Sequence, residues 1–524
     1  MSTQLTPSPH TSQLEQGPEG RLRRVPQVLR ERPWLGMAIT AATGVAYGVL
    51  AGWLTPRGPL TNVEAVIALV VAVLVGAVGG FAVRSRWAML LAPVFFIVSF
   101  ELTRIGARGP TVDETSLGSV YGVAAFLTGR GFHGVVVLIP MMLGAAVGAA
   151  VSRRVGGPRA GAVARRLTLG MVLRRATFAV SSALVLILGV LVALPGSTDP
   201  VLADDGSPVP GSIAEFAGVE TGDKRLSVML RGHSIENPVL LFLAGGPGGT
   251  ELGAMRNHGQ ALEEDFVVAT LDQRGTGKSM SQFEPASTLT LENAIRDAIA
   301  VTEYLRERFG QDRIYLVGQS WGTILGVLVA DREPQLYRAF VGVGQMVSPR
   351  ATDVAFYDDT LEWARESGDD GLVATLEKIG PPPYTDIRSY EPALSSEPLV
   401  HPYDHTPNAE GSGQNAEGIF VEEYSNVEKI RNLGATLDVF SVLYPQLQQI
   451  DFREQVTRLE VPVYLAQGRH EAPGRAVLAE EWFGMLDAPH KELTMFDTSG
   501  HRPLWEQPDQ FADLMSRVLD QTGG

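Results

Sequence analysis

The 524-residue chain contains no cysteine. That single absence excludes a disulfide framework, a Cys-ligated zinc site and a thiol nucleophile. Lysine is missing from the first 196 residues, where arginine supplies every fixed positive charge. Acids are scarce there as well. Residues 1–196 hold 18 Arg and 7 acids, a net +11, whereas the remainder holds 25 Lys and Arg against 51 acids, a net −26. The whole-chain charge of −15 therefore describes neither region. The acidic C-terminal region has the wrong sign for phosphate backbones, which excludes nucleic acid as its partner.

What the N-terminal region has in quantity is uninterrupted apolar length. A bilayer core about 30 Å thick is crossed by roughly 20 apolar residues in a helix. Residues 35–54, 63–83, 134–151 and 177–194 qualify, and their only charge is Glu64 near one end. Residues 87–100 form a shorter stretch ending at Glu101, expected as a fifth span, while 121–127 are too few to cross and are expected to be interfacial or re-entrant. Gly76, Gly79 and Gly80 give one span a small-residue face suited to close helix contact. A lipid bilayer is thus the first expected partner.

Arginine near span ends is retained on the cytoplasmic side. The leader carries Arg21, Arg23, Arg24, Arg30 and Arg32; one short connection carries Arg84 and Arg86; another carries Arg153, Arg154, Arg159, Arg165, Arg166, Arg174 and Arg175. Five spans put all three on one side, and leave only Arg57, Arg104, Arg108 and Arg130 on the other. The expectation is a cytoplasmic leader (1–33), a membrane region of about five helices (34–195), a Gly/Pro/Asp/Ser-rich linker (196–211) and an extracytoplasmic remainder. The first apolar stretch is too long, and begins too late, for a cleaved signal peptide. No His, Asp or Lys lies well inside a span, so nothing points to an ion pathway.

Beyond the linker the pattern changes to short apolar runs alternating with amphipathic stretches. Strands are expected at 212–219 and 225–231, paired across Gly222 and Asp223, then at 239–243, 266–271, 314–317, 339–343, 463–466 and 492–496. Helices are expected at 291–309, 321–330, 475–486 and 508–521. Such alternation predicts an α/β fold with a mostly parallel sheet, whose functional residues gather at strand carboxyl ends.

One strand end carries Gly318-Gln319-Ser320-Trp321-Gly322 between an apolar strand and a helix. In that setting G-x-S-x-G is a nucleophile elbow, with flanking glycines permitting the tight turn that exposes the serine hydroxyl. A serine needs a base, and the base an orienting acid, both following in chain order. Of the histidines after Ser320, His401 and His405 lie in a polar Pro/Asn/Gly-rich stretch and His490 precedes its strand. His501 follows the 492–496 strand and is the expected base. Glu471 is the carboxylate on the loop after 463–466 and the expected acid, with Asp497 as competitor; the alternative for Glu471 is an exposed loop glutamate pairing with Arg469 or Arg475. Two amides must face the developing oxyanion. Trp321 supplies one, and the loop Gly245-Gly246-Pro247-Gly248-Gly249 the other, from Gly246 first and Gly245 second. That loop lacks the G-K-[ST] ending of a phosphate loop, and the second glycine-rich run, residues 272–279, has its first glycine at the wrong spacing and no helix directly after it. Acyl transfer through these residues needs no metal and no organic cofactor, and none is expected.

Together G-G-P-G-G, D-Q-R-G-T-G-K-S, G-Q-S-W-G-T and G-R-H-E with S-G-H resemble the proline iminopeptidase-like branch of the α/β-hydrolases, over about 212–524. The resemblance implies a hydrolase core (212–344 and 456–524) interrupted by a helical cap (345–455), and an aminopeptidase cleaving N-terminal residues from peptides; the apolar spans add the expectation that it is membrane-anchored. It also implies triad positions for Ser320, Glu471 and His501, oxyanion positions for Gly246 and Trp321, and a bracing loop containing Asp272 and Arg274. Two residues depart from the pattern: Ala244 stands where histidine is usual, and Glu471 where aspartate is usual. In the family's peptidases cap carboxylates hold the substrate amine; Glu422 and Glu423 are open between that role and solvated helix charges, and with no motif to align them they are not assigned to the site. An esterase on the same triad and a catalytically idle ectodomain of a membrane scaffold are the alternatives.

Overall fold

The computed structural model describes residues 25, 27–113, 115–155, 168–203, 205–403 and 418–523. Arg21, Arg23, Arg24, Arg159, Arg165, Arg166 and His405 lie outside the described residues. The chain divides into two compact units, one of Met1–Ala107 and Arg130–Leu194, the other of Arg108–Gly129 and Pro195–Gly524.

In the first unit, Pro33–Leu54, Asn62–Val83 and Leu169–Ala193 are helices long and apolar enough to cross a membrane. A fourth is the continuous run Val120–Val155, of which only the part from Arg130 on belongs to this unit, and Ala88–Thr103 is a shorter apolar helix. Glu64 does not interrupt its span. It closes a capping box in which its carboxylate accepts the Leu60 and Thr61 amides at 2.7 and 3.2 Å, satisfying donors that a helix start leaves unpaired. Leu169–Ala193 starts well before its apolar stretch, because Thr168 caps the Met171 amide and Arg174 and Arg175 are tolerated in the first turns. The small-residue face does pack. A Cβ on Gly76 would lie 2.0 Å from Met141 O, and one on Gly80 2.0 Å from Ala145 O, so Asn62–Val83 meets Phe132–Val155 backbone to backbone.

The second unit is built on an eight-stranded sheet in the order β1-β2-β4-β3-β5-β6-β7-β8. The strands are β1 (Ile213–Thr221), β2 (Lys224–Gly232), β3 (Val239–Leu243), β4 (Val267–Asp272), β5 (Ile314–Gln319), β6 (Tyr337–Val343), β7 (Val463–Gly468) and β8 (Lys491–Phe496). β1 and β2 form the expected hairpin and β2 joins β4 antiparallel; the other neighbours are parallel. Strands covered on both faces read as continuous apolar runs, as Val-Leu-Leu-Phe-Leu of β3 does, and every residue of β3, β5 and β7 is buried. Alternate residues feed opposite cores. Leu241, Leu316 and Leu465 enter the larger cluster, while Phe242, Val317 and Ala466 enter the one beneath Trp505 and Phe511.

Between β6 and β7 lie the helices Pro349–Ser367, Asp370–Ile379, Ile387–Val400 and Asn426–Leu443, where a cap was expected. The start of the expected linker is held in place: Ser197 N–H donates to Glu422 O at 2.9 Å, and Arg231 donates to Thr198 Oγ1 at 2.8 Å. One segment differs from expectation. Arg108–Gly129, assigned from sequence to the membrane region, belongs to the second unit. Its amides and hydroxyl find carboxylate acceptors among the cap helices, which an apolar environment would not supply.

Candidate active site

Ser320 sits between β5 and the helix Trp321–Arg332 with φ 52° and ψ −118°. A non-glycine residue there stores roughly 1–3 kcal/mol of backbone strain, held only by its surroundings. Those surroundings are tight. A Cβ on Gly318 would come within 2.3 Å of Gly322 O, and one on Gly322 within 2.0 Å of Leu243 O, so both motif glycines are sterically required. Ser320 N–H donates to Val343 O at 3.0 Å, tying the turn to β6.

Glu471 follows β7 and His501 follows β8, both at strand carboxyl ends like Ser320. His501 Nδ1 lies 2.6 Å from Glu471 Oε2. The other carboxylate oxygen accepts the Ala472 amide at 2.9 Å and Arg475 Nε at 2.7 Å. Burial alone would raise the Glu471 carboxyl, but Arg475 and His501 together outweigh it and hold it down to about 2. It is therefore charged across the physiological range. The competing Asp497 is exposed and paired with Arg469 at 2.7 Å, turned to a different partner.

His501 is seated from below by a residue the sequence did not single out. Gly344, directly after β6, has φ +58°, and a Cβ there would lie 2.5 Å from His501 O and 2.9 Å from its Nδ1. The signal was present as a glycine at a strand carboxyl end, but only the fold shows what it faces. Of the two arginines considered as partners of Glu471, Arg475 is the one that pairs with it, and it does so buried: it bridges Glu471 to Glu397 of the cap and lies 4.6 Å above the Phe356 ring.

The glycine-rich loop after β3 discriminates between its two candidate amides. Gly245 N–H already donates to Glu251 Oε2 at 3.2 Å. Gly246, with φ +115°, lines the same cavity as Ser320. Trp321, as first residue of its helix, has an amide with no carbonyl one turn back to bond. Its indole Nε1 donates to Gln273 Oε1 at 2.9 Å, and Gln273 Nε2 donates to Ala244 O at 3.0 Å, joining the elbow to the loop. The D-Q-R-G segment is braced in turn: Arg274 makes two 2.8 Å bonds to buried Asp297, and Asp272 accepts Tyr424 OH and the Lys278 amide, each at 2.8 Å.

The cavity in front of Ser320 measures about 110 Å³ and is lined by Gly246, Phe356, Tyr390, Phe440, Tyr444 and Arg475, among others. Asp353 is the carboxylate among its described lining residues. It accepts Tyr444 OH at 2.6 Å and Gln448 Nε2 at 2.9 Å, and burial pushes its carboxyl up to about 6. Glu423, by contrast, is wholly buried against Arg256, and neither it nor Glu422 lines this cavity. No motif marks Asp353; only folding of the cap brings it to Ser320.

The sequence is similar to a known family. Residues 238–376 match a family model described as the alpha/beta hydrolase fold. A Bacillus subtilis protein named as a probable aminopeptidase, YbaC, is 30% identical over 312 residues, covering 58% of this chain and 96% of the relative. A Saccharolobus solfataricus proline iminopeptidase is 23% identical over 323 residues, covering 58% of this chain and 93% of the relative. Among solved structures, a proline iminopeptidase-related protein from Thermus thermophilus superimposes with a TM-score of 0.43 at 21% identity, covering 59% of this chain and 98% of that one. The chain is a hydrolase and belongs to the α/β-hydrolase family, in its proline iminopeptidase-like branch.

Proposed function

We propose that this chain is a membrane-anchored serine aminopeptidase that removes N-terminal residues from short peptides. The observation that carries the reading is the cavity that brings Ser320, Gly246 and the carboxylate of Asp353 together. At about 110 Å³ it is far below the ~300 Å³ or more of a drug-sized site, and has room for one amino-acid-sized group. An α-ammonium paired with Asp353 places the following carbonyl toward Ser320. The aminopeptidase names of the relatives support the same substrate class.

In the proposed reaction His501 takes the Ser320 proton as Oγ attacks the carbonyl carbon, while Glu471 holds the imidazole and stabilises its cationic form. The Gly246 and Trp321 amides receive the oxyanion. Collapse breaks the C–N bond, His501 gives its proton to the leaving amine, and water then releases the acyl group by the reverse sequence. No metal or organic cofactor enters any step.

Five spans and an extracytoplasmic hydrolase belong to this proposal. Two apolar helices, Phe132–Val155 and Leu169–Ala193, separate Gly129 from Pro195, so two crossings return the chain to the side it left. That agrees with Arg108–Gly129 and Pro195–Gly524 forming one unit. A C-terminal tag reached by antibody in intact cells supports the orientation; a tag reached only after lysis contradicts it.

Substrate class is tested with prolyl and alanyl arylamides against short p-nitrophenyl esters, in wild type and Asp353→Asn. Wild type is expected to hydrolyse the arylamides, and the variant to lose about tenfold or more in their kcat/KM, as removal of a charged hydrogen-bonding partner costs. Ester turnover without arylamide turnover would identify an esterase instead.

A further inference from the structure

The wall of the Ser320 cavity is supported from behind by a piece of chain lying between two apolar helices. Tyr390 and Phe440, from Ile387–Val400 and Asn426–Leu443, line the cavity and pack on each other and on Tyr444, with centroids 4.2–5.8 Å apart. The residue next to Tyr390 is Glu391, whose two carboxylate oxygens accept the Val120 and Tyr121 amides at 2.8 and 3.1 Å. Two residues before Phe440 is Asp438, which accepts Thr111 N–H at 2.9 Å and Thr111 Oγ1 at 2.5 Å. Earlier on the same helix Arg431 donates to Thr128 O.

Apolar contacts follow the polar ones. Ala125 is buried with Ile387 and Leu437, and Tyr121, Ala124 and Phe440 pack around them. The approach is close enough that a Cβ on Gly434 would stand 2.3 Å from Thr128 Oγ1 and 2.9 Å from Thr111 Cγ2. Both carboxylates are nearly buried, at 9% exposure for Glu391 and 2% for Asp438. Buried charges are retained where their hydrogen bonds are made, and losing a partner leaves them costly. The docking is therefore specific, with charge-assisted bonds at two cap helices and a backbone contact at a third point.

We propose that Arg108–Gly129 is a substrate-positioning element of the hydrolase, and that Glu391 and Asp438 are positioning residues that set substrate affinity by holding Tyr390 and Phe440 in place. Neither residue lines the Ser320 cavity, so their effect passes through the aromatic wall. A consequence is that the catalytic unit is discontinuous in sequence: residues 196–524 alone lack some of the support of their own cap. The proposal rests on Ser320 being the nucleophile, and its test separates the two claims.

The test uses full-length protein in detergent or nanodiscs, with Glu391→Gln and Asp438→Asn. An alanyl arylamide reports KM and kcat, and a small fluorophosphonate reports the reactivity of Ser320 independently of the aromatic wall. Each variant is expected to raise KM about tenfold, in line with the loss of a charged hydrogen bond, with kcat and labelling rate within about twofold of wild type. Because the chain has no cysteine, Thr128→Cys with Gly434→Cys adds one clean pair. The built Cβ of Gly434 is 3.2 Å from Thr128 Cβ, close to the ~3.5–4.5 Å of a disulfide. Oxidising that pair in the Glu391→Gln background is expected to restore KM, and reducing it to raise KM again. An unchanged KM in both variants overturns the proposal, as does a KM that oxidation fails to restore, a pair that does not oxidise, or a parallel fall of kcat, affinity and labelling. Failure of wild type to label at Ser320 overturns instead the reading of the nucleophile.

Discussion

Glu471→Gln isolates the electrostatic contribution to the proposed triad, because glutamine keeps the shape and one acceptor oxygen but removes the charge. In the wild type that charge faces two cations, Arg475 at 2.7 Å and, once the serine proton is transferred, His501 at 2.6 Å. The carboxyl is held at about 2 against an ordinary 4.5 despite complete burial. That difference corresponds to roughly 3 kcal/mol between its charged and neutral forms. In the proposed mechanism the same charge is expected to steady the imidazolium formed in the transition state, and replacing the acid of such a triad by its amide costs about 10³–10⁴ in kcat, or ~4–5 kcal/mol. The assay is kcat/KM on an alanyl arylamide beside the second-order rate of fluorophosphonate labelling, and both are expected to fall by that factor. The stability readout has a definite sign. The unfolded chain binds more protons than the folded one between pH about 2 and 4.5, so the contribution is complete above 4.5 and is lost as pH falls through 2. Glu471→Gln should lose that acid-limb slope. A loss of activity under tenfold, or a larger loss in Asp497→Asn, refutes the assignment of Glu471.

Other expectations follow from neighbouring residues. Asp353, held at about 6 against an ordinary 3.8, must ionise to pair with a substrate ammonium, so KM for a free-amine arylamide should fall about tenfold between pH 5 and 7. An N-acylated arylamide or an ester should show no such step. The folded chain also holds that proton more tightly than the unfolded one from 3.8 to 6, so this group lowers stability as pH rises through the window, and Asp353→Asn should remove the effect in a pH series of thermal unfolding. Gly344→Ala forces a Cβ against His501 at a left-handed position, costing roughly 1–2 kcal/mol in backbone alone, and should lower kcat at least tenfold with little change in KM. Gly80→Leu pushes a side chain into Ala145 O and should force a pair of apolar helices away from each other, lowering thermal stability by about 1–3 kcal/mol while labelling per folded molecule stays at the wild-type rate.

The alternation of short apolar runs with amphipathic ones was enough to anticipate all eight strands, because a sheet covered on both faces imposes that pattern locally. The turn at Ser320 was legible for a related reason: both flanking glycines answer to contacts within two or three ångströms, so the constraint is written into the motif itself. Asp353 was not legible, nor was the reach of Arg475 from Glu471 to the cap. Each acquires its surroundings from helices far away in sequence, Asp353 from Tyr444 and Gln448, and Arg475 from Glu397. Arg108–Gly129 was misplaced because its flanks are apolar helices, and the acceptors that draw it to the cap lie about 270 to 330 residues further on. Span boundaries shifted where a capping residue, as at Thr168, starts a helix ahead of its apolar face.

The central claim is that Ser320 is the nucleophile of a working hydrolase, and the most direct measurement is peptide mapping after fluorophosphonate treatment of membranes carrying the full-length chain. The expected result is a single adduct on the peptide containing Ser320, absent in Ser320→Ala and strongly reduced in His501→Ala. An adduct on another residue, or labelling unchanged in Ser320→Ala, would contradict it.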